Sequence, residues 1–433
     1  MHIYFSGIGG AGIGPLALIA HKAGFTVSGS DRRQSAYITY LKKQGLTDIH
    51  IGQEYEQIAA VHQDKPIDWF VYTSALPMDQ PDAPELRFCA DQDIKATKRD
   101  EFLSYLLDKK QLKLLAIAGT HGKTTTTAMI IWLFKQLGVP VSYSVGAKLS
   151  FGQMGEYDPD SQYFIYEADE FDRNFLSFQP YMSLITGIDW DHPDIYPTKE
   201  AYDEAFKQFI HQSDSVLLWK ADAEHLAMHQ TSRRWILDQD DPAIDQQLTL
   251  AGHVNRLNAW QVAQAVQCIT SKPLDELLEI MNDFPGVTRR YEQIVPGLYS
   301  DYAHTPPKIR GALQLAHEQA GNKVVVIYEG LHNTRQHFIK EDLRTLFDDV
   351  QQLYIVPSYL AREDPDLAVL TPDDLVGLLS PESQAHARPS QLDSALRATI
   401  QQHLDDGDLV LALSAGGGGS LDEWLREQFP ATT

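Results

Sequence analysis

Gly119-Thr120-His121-Gly122-Lys123-Thr124-Thr125 combines residue types that can hold a triphosphate. It follows the apolar run Leu114-Leu115-Ala116-Ile117-Ala118, which reads as a buried strand, and precedes Thr126 to Leu137, which reads as a helix. In that arrangement backbone N–H groups and the helix N-terminus face the phosphates, a lysine offsets their charge and a hydroxyl reaches Mg²⁺. Ile117 stands where the full G-x-x-x-x-G-K-[ST] pattern has its first glycine, so the turn departs from the pattern there. A chance Gly-Lys-Thr in a surface turn would not explain the strand and helix on either side.

An acidic run, Glu167-Ala168-Asp169-Glu170-Phe171-Asp172, closes the strand-like Tyr163-Phe164-Ile165-Tyr166. Four carboxylates at a strand end repel one another unless cations are at hand, which suits Mg²⁺ bridging protein to phosphate oxygens. Alone, the run would suit a solvated turn equally well. Asp189-Trp190-Asp191-His192 ends a further apolar run, Met182-Ser183-Leu184-Ile185. In a parallel sheet these strand ends share the edge of the phosphate turn, which makes His192 a candidate metal residue. A second glycine-bearing signal, Gly7-x-Gly9-x-x-Gly12 with Asp31 about twenty residues on, fits the dinucleotide fingerprint. Such a turn lets the backbone approach any pyrophosphate at a helix N-terminus. A UDP-sugar therefore fits as well as NAD, and a nicotinamide-dependent oxidoreductase stands as a remote alternative.

The elements that position these residues alternate between strand and helix patterns, which predicts an α/β fold with mainly parallel sheets. Glycine-bearing strand ends at Gly7–Gly14, Gly119–Gly122 and Gly416–Gly419 (the last after Leu409-Val410-Leu411-Ala412-Leu413) each suggest a separate doubly wound unit. Breaks are expected near Lys95–Arg99, before a helix Asp100–Leu107, and near Phe284-Pro285-Gly286. Gln239–Gln247, rich in Asp and Gln, reads as a solvated loop. A length of 433 residues suggests two to four domains at ~100–200 residues each. The net charge of −23 argues against a general nucleic-acid or anionic-membrane binder. Cys89 and Cys268 are too few for a disulfide framework or a cysteine-rich zinc site; both are expected to be buried in a reducing compartment. The opening His2-Ile3-Tyr4-Phe5 reads as a strand rather than a leader, and no run approaches ~18 uninterrupted apolar residues. A cytoplasmic location with no membrane span is expected.

Taken in order, these motifs resemble the Mur ligase family, ATP-dependent amide-forming enzymes of peptidoglycan biosynthesis. The phosphate turn, the acidic run and Asp191-His192-x-Asp194-x-Tyr196 are similar to the family's central domain. Asn255-x-x-Asn258-Ala259, Gly286-Val287-x-Arg289-Arg290-Tyr291 and Asp301-Tyr302-Ala303-His304-Thr305-Pro306 match further motifs. Gly7-Ile8-Gly9-Gly10-Ala11-Gly12-Ile13, Ser28-Gly29-Ser30-Asp31 and Arg99-x-Glu101 are similar to the branch that adds L-alanine to UDP-N-acetylmuramate. The resemblance covers nearly the whole chain. It implies a three-domain architecture: a Rossmann-like UDP-sugar-binding domain over residues 1–98, a P-loop ATPase-like central domain over 99–287, and a Rossmann-like C-terminal domain over 288–433 that receives the amine.

The same resemblance implies UDP-N-acetylmuramate, ATP and L-alanine as substrates, two Mg²⁺ ions, and a monomer or homodimer. Gly7, Gly9, Gly10, Ala11, Gly12, Ser30, Asp31, Ser74 and Arg99 would then bind the UDP-sugar. Gly119 through Thr125 would bind ATP, with Asn255 on the adenine and Arg290 and Asp301 contributing from the third domain. Thr124, Glu167 and His192 become metal ligands; Lys123, Glu167, His192 and His304 the catalytic set; Arg335 and His332 the amine-substrate residues. Several positions depart from the alanine-adding pattern. Gly187 stands for an asparagine, Val254 for a histidine, and Tyr328-Glu329-Gly330-Leu331-His332-Asn333-Thr334-Arg335 for a Gln-Pro-His-Arg-Tyr-Ser-Arg run. Ser414-Ala415-Gly416-Gly417-Gly418-Gly419 is more similar to the branch that recycles murein tripeptide, L-alanyl-γ-D-glutamyl-meso-diaminopimelate, which stands as the alternative amine.

Overall fold

The apolar run before the phosphate turn becomes the centre of a sheet. The computed structural model describes residues 1–192, 195–361 and 363–430, without the side chains of Met78 and Asp79. Asp194 of the family motif lies outside the described residues.

Three sheets organise the chain. In the first, β1 (His2–Ser6), β2 (Thr26–Asp31), β3 (Ile49–Ile51), β4 (Trp69–Tyr72) and β5 (Lys95–Lys98) are all parallel, in the order β3-β2-β1-β4-β5. The Gly7 turn leaves the end of β1, where the strand order reverses and ligand crevices form in such sheets. The second sheet holds β6 (Lys113–Ala118), β7 (Ser142–Ser144), β8 (Gly155–Glu156), β9 (Tyr163–Glu167), β10 (Met182–Ile185), β11 (Val216–Trp219) and β12 (Arg234–Leu237). Its order is β12-β11-β10-β6-β9-β7-β8, parallel except for β7 with β8. Because β9 and β10 flank β6, the phosphate turn, the acidic run and the segment leading to His192 leave the sheet on one edge, as expected. The third sheet comprises β13 (Glu292–Val295), β14 (Leu298–Asp301), β15 (Val324–Leu331), β16 (Gln352–Tyr359), β17 (Ala387–Pro389) and β18 (Leu409–Leu413). Its order is β13-β14-β18-β15-β16-β17, with β13 antiparallel to β14.

The chain folds into two compact units, Met1–Leu248 with Leu257–Phe284, and Thr249–Arg256 with Pro285–Thr433. The expected break at Phe284-Pro285 coincides with a change of unit. The expected break near Lys95–Arg99 separates two sheets of the first unit but not their cores. Helix Arg99–Lys110, longer than the Asp100–Leu107 read from sequence, buries Phe102, Leu103, Leu106 and Leu107. Phe102 packs edge-on to Phe5, Phe25 and Trp69 with ring centroids 5.4, 5.8 and 5.3 Å away. The same core continues into Leu114, Ala116, Phe164 and Tyr166 of the second sheet. Each such buried side chain contributes roughly 1.5–3 kcal/mol, so this helix is a wall common to both cores.

Two expectations are corrected. Gln239–Gln247 does not stay a loop: Ala243–Gln247 is a short helix whose Ile244 is fully buried. Cys89 is buried, but Cys268 is exposed on the outer face of helix His253–Thr270. Among the described residues no helix is long and apolar enough to cross a membrane.

Candidate active site

The turn after β6 is shaped by glycines where side chains have no room. Ile117 lies inside β6, fully buried and paired with Glu167 and Leu184, which explains why no glycine is needed at that position. Gly119 bends the chain instead: its φ is +141°, and a Cβ there would lie 2.4 Å from Thr186 Oγ1 and 3.0 Å from Gly187 O. Gly122, at φ +73°, is the N-cap of helix Lys123–Gln136, which starts three residues earlier than the threonine-rich run suggested. No side chain caps this helix, and uncapped N–H groups at a helix start are the kind that can face an anion. Thr120 fastens the turn, donating from N to Gly187 O at 2.8 Å and from Oγ1 to Asp189 O at 2.7 Å. His121 Nε2 meets Asp189 Oδ2 at 2.6 Å.

The four carboxylates of the acidic run each have their own partner. Lys98 pairs with Asp172 and Arg99 Nη2 lies 3.4 Å from Asp169, both cations coming from the end of the first sheet. Lys123 Nζ donates to both oxygens of Glu170, at 2.9 and 2.6 Å. Burial opposes the Lys123 charge, but Glu170, Asp169 and Glu167 more than offset it and hold the ammonium above the usual lysine range. Glu167 is different, because its partners are neutral donors: Thr124 Oγ1 at 2.7 Å and Gly146 N at 2.9 Å. His192 Nε2 sits 3.8 Å from Glu170 Oε1 and 3.9 Å from Asp191. Asp172, Arg173 and His192 all carry left-handed φ, at 53°, 57° and 56°. Such strain costs about 1–3 kcal/mol per residue and gathers where geometry is set by function.

Hard oxygens of a hydroxyl and a carboxylate, side by side at a phosphate-binding turn, fit Mg²⁺. That ion usually keeps one or two carboxylates and takes its other ligands from phosphate and water.

The Gly7 turn belongs to the same unit. Gly7 has φ +80°, and the N–H groups of Gly7 and Ile8 donate to Ser30 O at 2.8 and 2.9 Å. Gly10 N donates back to Gly7 O at 3.0 Å, and Ala11 is exposed at the tip. Asp31 Oδ2 accepts from Gly9 N at 2.8 Å, so it braces the turn itself. A Cβ at Gly12 would fall 2.3 Å from Arg99 Nη1, so only glycine lets that guanidinium lie against the turn. Ser74 Oγ reaches Asn174 at 3.5 Å. Arg99 thereby stands between the Gly7 turn and the acidic run.

The remaining candidates lie in the second unit. Asn255 Nδ2 donates to Ala251 O at 2.9 Å. Asp301, at the end of β14, accepts from Tyr291 N at 2.7 Å; burial pushes its carboxyl up, opposed by Arg290 and by backbone N–H donors. The Arg290 guanidinium lies 4.9 Å over the Tyr302 ring, and His304 Nδ1 bonds Tyr302 O at 2.8 Å. His332 follows β15 as the N-cap of the next helix at φ +57°, with Nδ1 3.6 Å from Glu363 Oε1. Arg335 follows on helix Asn333–Leu343.

Residues 2–111 match the Mur ligase family, catalytic domain, and residues 117–247 match the Mur ligase middle domain. The chain belongs to the Mur ligase family. UDP-N-acetylmuramate–L-alanine ligase of Nocardioides sp. is 30% identical to this Mur ligase over 428 residues, covering 96% of the chain and 93% of the relative. The enzyme of the same name from Clostridium perfringens is 28% identical, with 96% and 95% covered. Among solved structures, UDP-N-acetylmuramate-alanine ligase MurC of Thermotoga maritima aligns with TM-score 0.73 at 22% identity, covering 99% of this chain and 98% of that one. A murein peptide ligase of Psychrobacter arcticus aligns over 100% of both chains with TM-score 0.66 at 21% identity. These likenesses carry the three-sheet Mur ligase architecture.

Two further residues support the Gly119–Thr125 turn of this Mur ligase. Asn258 is buried against the turn, its Oδ1 3.0 Å from where a Cβ on Gly122 would sit. Asp222 Oδ1 accepts from Ile188 N at 3.0 Å and so braces the segment that holds Thr120 and His121. Asp222 belongs to no motif. Asn258 lies in the Asn255-x-x-Asn258-Ala259 motif.

Proposed function

We propose that the chain is an ATP-dependent ligase joining L-alanine to the lactyl carboxylate of UDP-N-acetylmuramate, working in the cytoplasm in peptidoglycan biosynthesis. The reading is supported by one juxtaposition above all: Lys123, Thr124 and Glu167 meet at one sheet edge, and Arg99 links that edge to the Gly7 turn. It is further supported by the alanine-adding ligases that the chain resembles over nearly its full length. Residues 1–98, 99–287 and 288–433 would carry the sugar nucleotide, ATP and the amine respectively.

A carboxylate resists attack by an amine because it has no good leaving group. Transfer of the γ-phosphoryl of ATP to a carboxylate oxygen gives an acyl phosphate and ADP. The amine nitrogen then bonds to the acyl carbon, the tetrahedral intermediate expels phosphate, and the nitrogen gives up a proton. Two anions must meet in the first step, so electrostatic stabilisation dominates. Lys123 would exchange Glu170 for the β- and γ-phosphates, and the uncapped helix end would hold the same oxygens through N–H groups. Thr124 and Glu167 would hold one Mg²⁺ and His192 a second, supplying positive charge between phosphates and carboxylate. Within the second unit, the family resemblance would give Asn255, Arg290, Asp301 and His304 to nucleotide binding, and His332 and Arg335 to the amine substrate's carboxylate.

The test is phosphate release with UDP-N-acetylmuramate and ATP, supplied with L-alanine or with L-alanyl-γ-D-glutamyl-meso-diaminopimelate. Turnover with L-alanine supports the proposal, and turnover with the tripeptide alone replaces it by the recycling activity. Lys123→Ala should lower ADP formation by at least ~10²–10³; wild-type turnover in that variant would refute the ATP assignment.

A further inference from the structure

A buried polar stripe runs beneath the Gly7 turn. His2, Tyr4 and Ser6 of β1 share one face of the first sheet, with Ser28 and Ser30 opposite Tyr4 and Ser6 on β2, and none is more than 3% exposed. His2 Nε2 meets Ser28 Oγ at 2.7 Å. Glu85, 1% exposed on helix Pro84–Asp91, closes the stripe. Its Oε1 accepts from Tyr4 Oη at 3.0 Å and Ser30 Oγ at 2.5 Å, and its Oε2 from Ser6 Oγ at 2.6 Å. Gln53 Nε2 adds a bond to Ser6 Oγ at 2.7 Å. Ser30, one link from Glu85, offers its carbonyl to the N–H groups of Gly7 and Ile8. An acid that no motif announces therefore fixes two serines and, through Ser30, the glycine turn.

We propose that Glu85 is a positioning residue of the UDP-sugar site and takes up a proton when the diphosphate settles on the Gly7 turn. The inference rests on the proposed function for the identity of that ligand. Burial already pushes the Glu85 carboxyl up; the three hydroxyls pull it down, and Asp31 pushes it up again. A diphosphate brings more negative charge, which disfavours the carboxylate further, and a ligand that favours the protonated form must take up protons on binding. The titratable groups facing the cluster are His2 and Tyr4 from β1, Asp31 from β2, Asp48 ahead of β3 and Cys89 on the Glu85 helix. Burial holds the Tyr4 phenol far above its usual range and the Cys89 thiol at about 12, so neither exchanges a proton near neutrality.

Calorimetric titration of the full chain with UDP-N-acetylmuramate, in two buffers of different ionisation enthalpy between about pH 5 and 9, counts the protons. Wild type should take up protons, and Glu85→Gln, which keeps the shape without the charge, should not. KM for the sugar nucleotide should stay within about threefold in Glu85→Gln and rise about tenfold or more in Glu85→Ala, with KM for ATP unchanged. Tyr4→Phe withdraws one donor from the carboxylate and should move the uptake to higher pH. A merely structural acid would lower the melting temperature without altering the proton count. Uptake that persists in Glu85→Gln, or none in wild type over the whole range, overturns the inference. Wild type that binds no UDP-N-acetylmuramate overturns the proposed function instead, and this inference with it.

Discussion

The Thr124 hydroxyl donates to the Glu167 carboxylate at 2.7 Å, joining the first turn of the phosphate-loop helix to the end of β9. The other three carboxylates of the acidic run face Lys98, Arg99 and Lys123, whereas Glu167 faces a hydroxyl and a backbone N–H. Among the described residues Glu167 forms no ion pair that an arriving cation would have to displace. Glu167→Gln should therefore lower kcat by about 10² or more and raise the Mg²⁺ concentration needed for half-maximal rate, with the fold intact. Steady-state rates over a Mg²⁺ series check this; an unchanged Mg²⁺ requirement would remove Glu167 from the metal site.

Gly12 and Arg99 make a second test. The Gly12 φ is one that alanine can adopt, so Gly12→Ala should leave the turn's backbone in place while its methyl displaces the Arg99 guanidinium. Loss of that cation should raise KM for UDP-N-acetylmuramate about tenfold, equivalent to ~1.4 kcal/mol, with little change in KM for ATP. Equal shifts in both constants would mean that Arg99 does not act on the sugar nucleotide.

Asp222 gives a pH dependence with a definite sign. Burial pushes its carboxyl up to about 6, the Ile188 N–H pulling it down and Asp189 pushing it up. An unfolded aspartate titrates near ~3.9, so the native state binds the extra proton between the two values. Stability from this group is thus lost as pH rises through that window, by ~3 kcal/mol in all. Asp222→Asn carries no such loss, so its stability relative to wild type should climb by up to ~3 kcal/mol from about pH 4 to 7. Urea unfolding at several pH values measures it, and a flat difference would contradict the burial assignment.

Arg289 ties the start of the second unit's long segment to its last glycine loop. Its Nη2 donates to Ser414 O at 3.2 Å and Gly416 O at 3.0 Å, and Nε lies 3.3 Å from Asp422. Lysine cannot reproduce that fork. Arg289→Lys should loosen residues 414–419 by about 2 kcal/mol, read as faster amide hydrogen exchange in that loop alone. Unchanged exchange there would show the fork to be dispensable.

The sheet edge was legible because its parts are local. A strand, a glycine turn and a helix follow one another in sequence, and parallel pairing of β9 and β10 with β6 follows from the alternating pattern. Glu85, Asp222 and the partners of the acidic run were not legible. Lys98 and Arg99 reach Asp172 and Asp169 from more than sixty positions away, and only folding brings them together. Cys268 is exposed, against expectation, because a cysteine's usual burial says nothing of which helix face it occupies. Ile244 made part of a polar stretch helical because one apolar side chain could reach the core, which composition alone hid.

Helix Arg99–Lys110 has a consequence for exchanging parts between related enzymes. A swap that ended at residue 98 would take away Phe102 and leave Phe5, Phe25 and Trp69 without their shared neighbour. The portable module is the one that runs through Lys110, and chimaeras joined earlier would inherit a wound in both halves.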